Sequence, residues 1–377
     1  MKTRIKKLYN FYRSDLTMRD IEKLVKQDVP ELYDFYVRKM QKPEKAKNKF
    51  YETLLFIRNL FIEFLEQLTP IRRIIFSISI LIFIQSYIVN NWQWAAVAFI
   101  LLCLLIAFEL ADKLTAKDEL AVARKIQRSL MPNEAPQNNF YEISCFTENA
   151  KEVGGDYYDF IKYAPISRDL VGNEAPEKFF VIVGDVSGKG MAAALHMVQV
   201  QSILRNSVYN HNTPKEVLSS MNRNLRRVLP KGSFFTVCIS SINPDGSVLL
   251  SRAGHLPLLY YKRKEDNFMN ITPKGIGIGI ADNGLFEKTL EEICIKPEED
   301  DILVFYTDGV IEARNYYKQE FGEEKLKSVV RINKDNSPDQ IKNAVVQNIS
   351  SFRDGTPPHD DFTLVILKTK VNPNQNI

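Results

Sequence analysis

The sequence predicts an α+β protein: a domain of antiparallel strands and amphipathic helices, preceded by an apolar helical hairpin and a basic helical region. Three observations lead there. Residues 74–108 carry no charge over 35 consecutive positions. Beyond Pro132, short β-branched and aromatic runs are interspersed with longer amphipathic ones, and Asn-Pro-Asp-Gly at 243–246 separates two of the short runs as a tight hairpin turn does. At 377 residues, two or more domains are expected, and a composition 45% apolar and 25% charged supplies a core and argues against wholesale disorder.

The basic region comes first. Residues 1–73 hold 17 Lys and Arg against 10 Asp and Glu, an excess larger than the +4 of the whole chain. So mild an overall charge does not point to nucleic acid, and no such partner is expected. No secretory signal is expected at the N-terminus, where the necessary apolar stretch is missing. Helical patterns run from Met18 to Met40 and from Phe50 to Leu68, the second with a broad stripe that includes Leu54, Ile57, Phe61 and Leu65. This N-terminal region, 1–70, reads as a small helical bundle or as a basic helix pair on a membrane surface.

The charge-free run follows. As one straight helix it would measure about 50 Å, against a hydrocarbon core of about 30 Å. Asn90-Asn91 breaks it, with Tyr87, Trp92 and Trp94 beside the break, and such residues favour a turn at a membrane interface. Arg72 and Arg73 precede the run, and Lys113 and Lys117 follow it. Positive charge at both ends predicts a two-pass hairpin, about Ile74–Val89 and Trp92–Phe108, with both ends on the cytoplasmic side of the inner membrane. Each pass is short, which implies thinning or snorkelling. A buried soluble hairpin is the alternative. Glu109 to Met131 then reads as one charged linker helix stopped by Pro132. Leu110, Leu114, Ala121, Ile126 and Leu130 form a narrow stripe along it, a signalling connector and possible homodimer seam or a plain amphipathic one.

Residues 138–370 form the α+β domain, ahead of a polar tail at 371–377. Strands are expected at Phe179–Val183, Phe234–Ser241, Val248–Ser251, Leu258–Tyr261, Ile302–Tyr306 and Phe362–Leu367, and helices at Ala192–Tyr209, Pro214–Val228, Glu324–Val330 and Pro338–Ser351. Cys103, Cys145, Cys238 and Cys294 are scattered, as in a reducing compartment, and the four histidines include no HxxxH pair.

Four acidic turns stand out: Gly154-Gly155-Asp156, Gly184-Asp185, Thr307-Asp308-Gly309 and His359-Asp360-Asp361. The last three adjoin apolar strands. One Asp-Gly at a strand end is ordinarily a turn. Four acidic turns at strand ends imply a shared oxygen-rich site suited to Mg²⁺ or Mn²⁺, since buried carboxylates need cations or other partners. Two such ions, about 3.5–4 Å apart, hold a hydroxide for in-line attack on phosphorus.

In order and content these motifs resemble the metal-dependent serine/threonine protein phosphatases of the type 2C fold, in their bacterial SpoIIE and RsbU branch. The resemblance covers about residues 120–370 and rests on ARKIQRSLMP (123–132), EVGGDYYDF (152–160), VIVGDVSGKGMAAAL (181–195), FFTVCI (234–239), AGHLP (253–257), FYTDGVIEA (305–313) and DDFTLVIL (360–367). It implies a pair of antiparallel sheets flanked by helices, a four-layer phosphatase domain with its metals at one end. It also implies the ligand roles: Asp185 bridging two ions with the Val186 carbonyl, Asp156 on one ion, and Asp308 and Asp360 on the other, with Asp361 ranked below Asp360. The implied chemistry is hydrolysis of phosphoserine or phosphothreonine by a two-metal-activated hydroxide, and the implied substrate is an anti-sigma-factor antagonist in partner-switching signalling. No arginine stands near the first acidic motif to grip phosphate. That task is left to the metals and to Lys189, with His255 of the AGH loop as a further substrate contact or a structural histidine.

Other readings explain less. GDVSGKG is one residue short of a P-loop and lacks the Ser or Thr after its lysine. GGDYYDF shares its first three residues with the GGDEF motif of diguanylate cyclases, but tyrosine stands at the glutamate position. GIGIGI at 275–280 lacks the strand-turn-helix setting of a dinucleotide fingerprint. A catalytically inactive phosphatase-like membrane scaffold is the alternative of a different class, and retention of all four acidic sites argues against it.

Overall fold

The computed structural model describes residues 49–132, 134–163, 178–281 and 284–370. The expected helix at Met18–Met40 and the tail at 371–377 lie outside these. The chain divides into two units between Ala116 and Lys117.

In the first unit, α1 spans Lys49–Gln67 and α2 spans Pro70–Ile88, with Pro70 in the first turn where its missing N–H is no loss. Asn90, at φ +54°, turns the chain, and α3 starts at Trp92. α2 begins four residues before the expected pass and takes in Arg72 and Arg73, 19 residues in all. The Arg72 guanidinium pairs with Glu109 (3.0 Å) and Asp112 (2.7 Å) on α3. Leu81, Phe83, Phe99 and Ile106 are exposed. Both helices are long and apolar enough to cross a membrane. α3 does not pause at Phe108. It continues to Ser129 as one element of 38 residues, taking in the expected linker helix.

The second unit stacks two five-stranded antiparallel sheets. The strands are β1 (Tyr141–Glu148), β2 (Asp156–Tyr163), β3 (Lys178–Val186), β4 (Phe235–Ile242), β5 (Val248–Ala253), β6 (Leu258–Lys262), β7 (Asn267–Ile271), β8 (Glu292–Ile295), β9 (Ile302–Tyr306) and β10 (Phe362–Thr369), ordered β1-β10-β9-β6-β7 in one sheet and β2-β3-β4-β5-β8 in the other. Period-2 alternation explains the unbroken apolar runs of the central strands. Leu303, Phe305, Val365 and Leu367 face the core between the sheets, while Ile302, Val304, Leu364 and Ile366 face the helices Glu323–Ile332 and Pro338–Arg353 through Leu326, Val330, Ile341 and Val345. Helices Met191–Asn210 and Pro214–Leu225 cover the other sheet. Two helix starts were written in the sequence as capping boxes followed by proline: Thr213 with Glu216, and Ser337 with Gln340.

The fold is therefore the expected helix-flanked antiparallel sandwich, and the 243–246 turn joins β4 to β5 as a hairpin. Four strands escaped the sequence reading. β7 and β8 are short, partly exposed edge strands, β1 is an edge strand of mixed polarity, and β2 opens on Gly-Gly-Asp, which reads as a turn. The helix expected to reach Val228 ends at Leu225, because Pro230 lies ahead and residues 226–229 close in tight turns on Leu225.

Candidate active site

Antiparallel register assembles the site. Asp156, the first residue of β2, pairs directly with Asp185 near the end of β3. In the other sheet, the end of β9 lies beside the start of β10, with Tyr306 opposite Leu364, so Asp308 and Asp360-Asp361 leave the sheet at neighbouring corners. Thr307 and Thr363 join the corners: both hydroxyls donate to Asp156 Oδ2 at 2.7 Å, and Thr363 N–H donates to Thr307 Oγ1 at 2.9 Å. All three side chains are buried. The four acidic turns of the sequence thus meet at one end of the sandwich.

The carboxylates are held in different ways. Asp361 accepts Ala150 N–H (2.8 Å) and Gly155 N–H (2.7 Å), one on each oxygen, and so brackets the first acidic turn. Asp360 Oδ1 accepts Asp361 N–H at 3.0 Å, and Oδ2 takes the Lys189 ammonium at 2.5 Å. Asp159, three residues beyond Asp156, belongs to none of this. It is fully buried against Tyr157 and the Arg205 guanidinium, a structural ion pair.

Electrostatics mark the cluster as short of positive charge. Burial, then Asp308, Asp360 and Asp361, pushes the Asp185 carboxyl up to about 8, with Lys189 opposing. Burial and the neighbouring Asp185 raise Asp156 well above the carboxylate range, against its threonine hydrogen bonds. Asp308 rises through burial and the charges of Asp360 and Glu312, and Asp361 rises through burial despite its backbone donors. No other lysine or arginine among the described residues is ion-paired to these five acids.

The residues fit divalent cations by donor chemistry and by space. All five side chains offer hard oxygen, the donor type of Mg²⁺ and Mn²⁺. A methyl group at Gly155 would lie 2.7 Å from the Val186 carbonyl oxygen and 2.9 Å from Asp185 Oδ1, so glycine there keeps two expected ligands unobstructed on one point. As the side chains stand, no three Asp, Glu, His or Cys groups among the described residues close on a single point.

His255 is not placed to touch substrate. It is 5% exposed, and burial depresses its pKa to about 4. Its Nε2 lies 3.2 Å from the Tyr306 carbonyl, which can only accept, so Nε2 carries the proton and Nδ1 accepts from Thr236 Oγ1 at 3.0 Å. The ring ties β4 to the end of β9, which fits the structural one of the two readings left open for it. Lys189 lies beside Asp360. Gly188 (φ +104°) and Gly190 (φ +73°) adopt conformations open to glycine, and they carry the lysine to the mouth of the cluster.

Two kinds of residue escaped the sequence reading. Thr307 and Thr363 stand next to or near the acids, but nothing in a lone threonine announces a hydrogen bond across two sheets. Gln127, in the last turn of α3, is buried and clamps the first acidic turn: Nε2 donates to the Gly154 carbonyl at 2.6 Å, and Oε1 accepts Gly154 N–H at 3.2 Å. An uncharged residue on a charged helix was the available signal.

Comparison with known proteins agrees with this fold. The family model for Stage II sporulation protein E (SpoIIE) matches residues 175–370. Phosphoserine phosphatase RsbU of Bacillus subtilis is 27% identical over 257 residues, covering 68% of this chain and 71% of that protein. Among solved structures, the SiaA-PP2C domain of Pseudomonas aeruginosa superposes with a TM-score of 0.58 at 16% identity, covering 68% of this chain and 98% of that one. The RsbU and RsbW domains of a Mycobacterium tuberculosis protein give 0.50 at 22% identity, covering 61% of this chain and 60% of that one.

Proposed function

The chain belongs to the SpoIIE family, and from that premise we propose that it is a membrane-anchored, divalent-metal-dependent protein-serine/threonine phosphatase. The observation that carries the reading is the Asp156–Asp185 register pair, joined through two buried threonines to the corner that bears Asp308 and Asp360. Asp156, Asp185, the Val186 carbonyl, Asp308, Asp360 and Asp361 would hold two Mn²⁺ or Mg²⁺ ions. Bound there, such ions supply the positive charge that polarises phosphoryl oxygens and lowers the pKa of water. The chain's own residues do the rest. Thr307 and Thr363 fix Asp156, Asp361 fixes the Gly154-Gly155 turn, and Lys189 stands at the mouth where a phosphoryl dianion enters. Hydrolysis forms a phosphorus–oxygen bond to water, breaks the ester bond and returns the proton to the serine or threonine oxygen.

The substrate we propose is a small phosphorylated antagonist of an anti-sigma factor, in a partner-switching pathway. The support is the family and the likeness to RsbU. The hairpin of α2 and α3 supports anchoring in the cytoplasmic membrane, with the phosphatase domain inside the cell. The test uses the full chain in isolated membranes. Manganese-dependent hydrolysis of p-nitrophenyl phosphate and of a phosphoserine peptide should sediment with the membrane fraction, and Asp185→Asn should abolish it. An inactive wild type would favour the scaffold reading, and an Asp185→Asn variant as active as wild type would sink the ligand assignment.

A further inference from the structure

We propose that Lys189 is an exchangeable counter-ion: it holds Asp360 until a divalent cation takes that carboxylate, and its released ammonium then binds the phosphoryl group. This rests on the phosphatase reading above and adds a coupling between the two ligands.

Three observations carry it. The first is placement. Lys189 Nζ lies 2.5 Å from Asp360 Oδ2 and 3.3 Å from the His359 carbonyl oxygen, so the only two contacts of the ammonium among the described residues are both on the turn before β10. The second is the backbone that delivers it. Lys189 sits between two left-handed glycines, in a loop anchored on one side by Ser187 N–H to the Phe234 carbonyl (2.9 Å) and on the other by the helix Met191–Asn210. The loop is anchored, while the side chain is 47% exposed on a flexible four-carbon stem. The third is charge. Five carboxylates share the site, and among the described residues Lys189, on Asp360, is the one cation ion-paired to any of them.

The exchange follows from elementary electrostatics. A single ammonium loses to a doubly charged cation for an acidic oxygen set, most of all where neighbouring carboxylates add their field. Once Asp360 is taken, the ammonium loses its ion-pair partner, yet its anchored loop keeps it within a side chain's length of the cluster. An entering phosphoryl dianion supplies that anion, through a charge-assisted hydrogen bond. The lysine thus opposes cation binding and favours phosphate binding. Removing it changes the two affinities in opposite directions, which loss of a merely structural contact does not do.

The experiment compares wild type, Lys189→Met and Lys189→Arg as full chains in detergent micelles. Calorimetric titration with Mn²⁺ should show tighter binding in Lys189→Met by about fivefold, the upper end for a half-exposed ion pair. Inhibition of p-nitrophenyl phosphate hydrolysis by inorganic phosphate at saturating Mn²⁺ should weaken by about tenfold in the same variant, as loss of one hydrogen bond to a charged group requires. Lys189→Arg should recover most of the phosphate effect. In an Asp360→Asn background, Lys189→Met should tighten Mn²⁺ binding by clearly less than it does in the wild-type background. Equal or weaker Mn²⁺ binding in Lys189→Met, or unaltered phosphate inhibition, overturns the exchange. A wild type that binds no Mn²⁺ overturns instead the metal-dependent reading on which it stands.

Discussion

Gly309 offers the sharpest test of whether the acidic corner works as described. It follows Asp308 directly in the short helix Asp308–Ile311 and is buried. A methyl group at this position would stand 1.9 Å from the Asp361 carbonyl oxygen, 2.7 Å from its carbon and 3.2 Å from the Asp360 carbonyl oxygen. Nonbonded carbon and oxygen do not approach closer than about 3 Å, so Gly309→Ala must open this contact by about 1 Å, and the obstacle is backbone that cannot rotate away. The displaced chain carries Asp360 and Asp361, and Asp361 in turn holds Ala150 and Gly155 of the first acidic turn. Catalytic groups need to be held within about 0.5 Å, and a misplacement of about 1 Å costs roughly 100-fold in rate. Folding should lose only about 1–3 kcal/mol, as in other over-packed sites. Gly309→Ala should therefore fold, lose about 100-fold in manganese-dependent kcat/KM on p-nitrophenyl phosphate, and bind Mn²⁺ more weakly. Gly284→Ala serves as control: its φ of +73° makes alanine unfavourable by about 1 kcal/mol, but nothing lies within 4 Å, and its activity should match wild type. Activity of Gly309→Ala within threefold of wild type would show that the Asp308 and Asp360 corner does not position the reacting groups.

Two further outcomes follow from buried polar groups. Gln127→Leu keeps the volume but strips both partners from the buried Gly154 peptide, which should cost about 3 kcal/mol and lower the thermal midpoint by several degrees, with activity falling as the first acidic turn loosens. An unchanged midpoint would mean that the turn does not depend on this clamp. For His255 the sign is set by its depressed pKa of about 4. Above pH 6.5 the ring is neutral in both folded and unfolded chains. Between 6.5 and 4 only the unfolded chain takes up the proton, so acidification through this window should remove about 3 kcal/mol of stability, at about 1.4 kcal/mol per pH unit. Subtracting the same titration of His255→Asn cancels the carboxylates and isolates the histidine, and parallel stability curves for the two proteins would refute its neutral, buried state.

What the sequence disclosed of this molecule depended on whether the signal was local. The apolar hairpin, the central strands, the helices after Thr213 and Ser337 and the four acidic turns each carry a signal in consecutive residues, and each was legible. Even so, turns at Asp156 and Asp185 say nothing of register. That the two acids face each other is a property of β2, whose opening Gly-Gly-Asp masks its strand character and whose partner lies beyond a long connection. The bridging threonines are further removed: Thr307 and Thr363 reach Asp156 from 151 and 207 residues away, and only the stacking of two sheets brings them there. His255 shows the converse case: its motif left a substrate contact and a structural role open, and only its burial and its bonds to Thr236 and Tyr306 favour the second. Lys189 is intermediate. Its flanking glycines were visible, but its anion, 171 residues on, was not. The acids announce a site because charge is costly to bury, whereas the neutral groups that position them carry no such cost and leave no trace in the chain until it is folded.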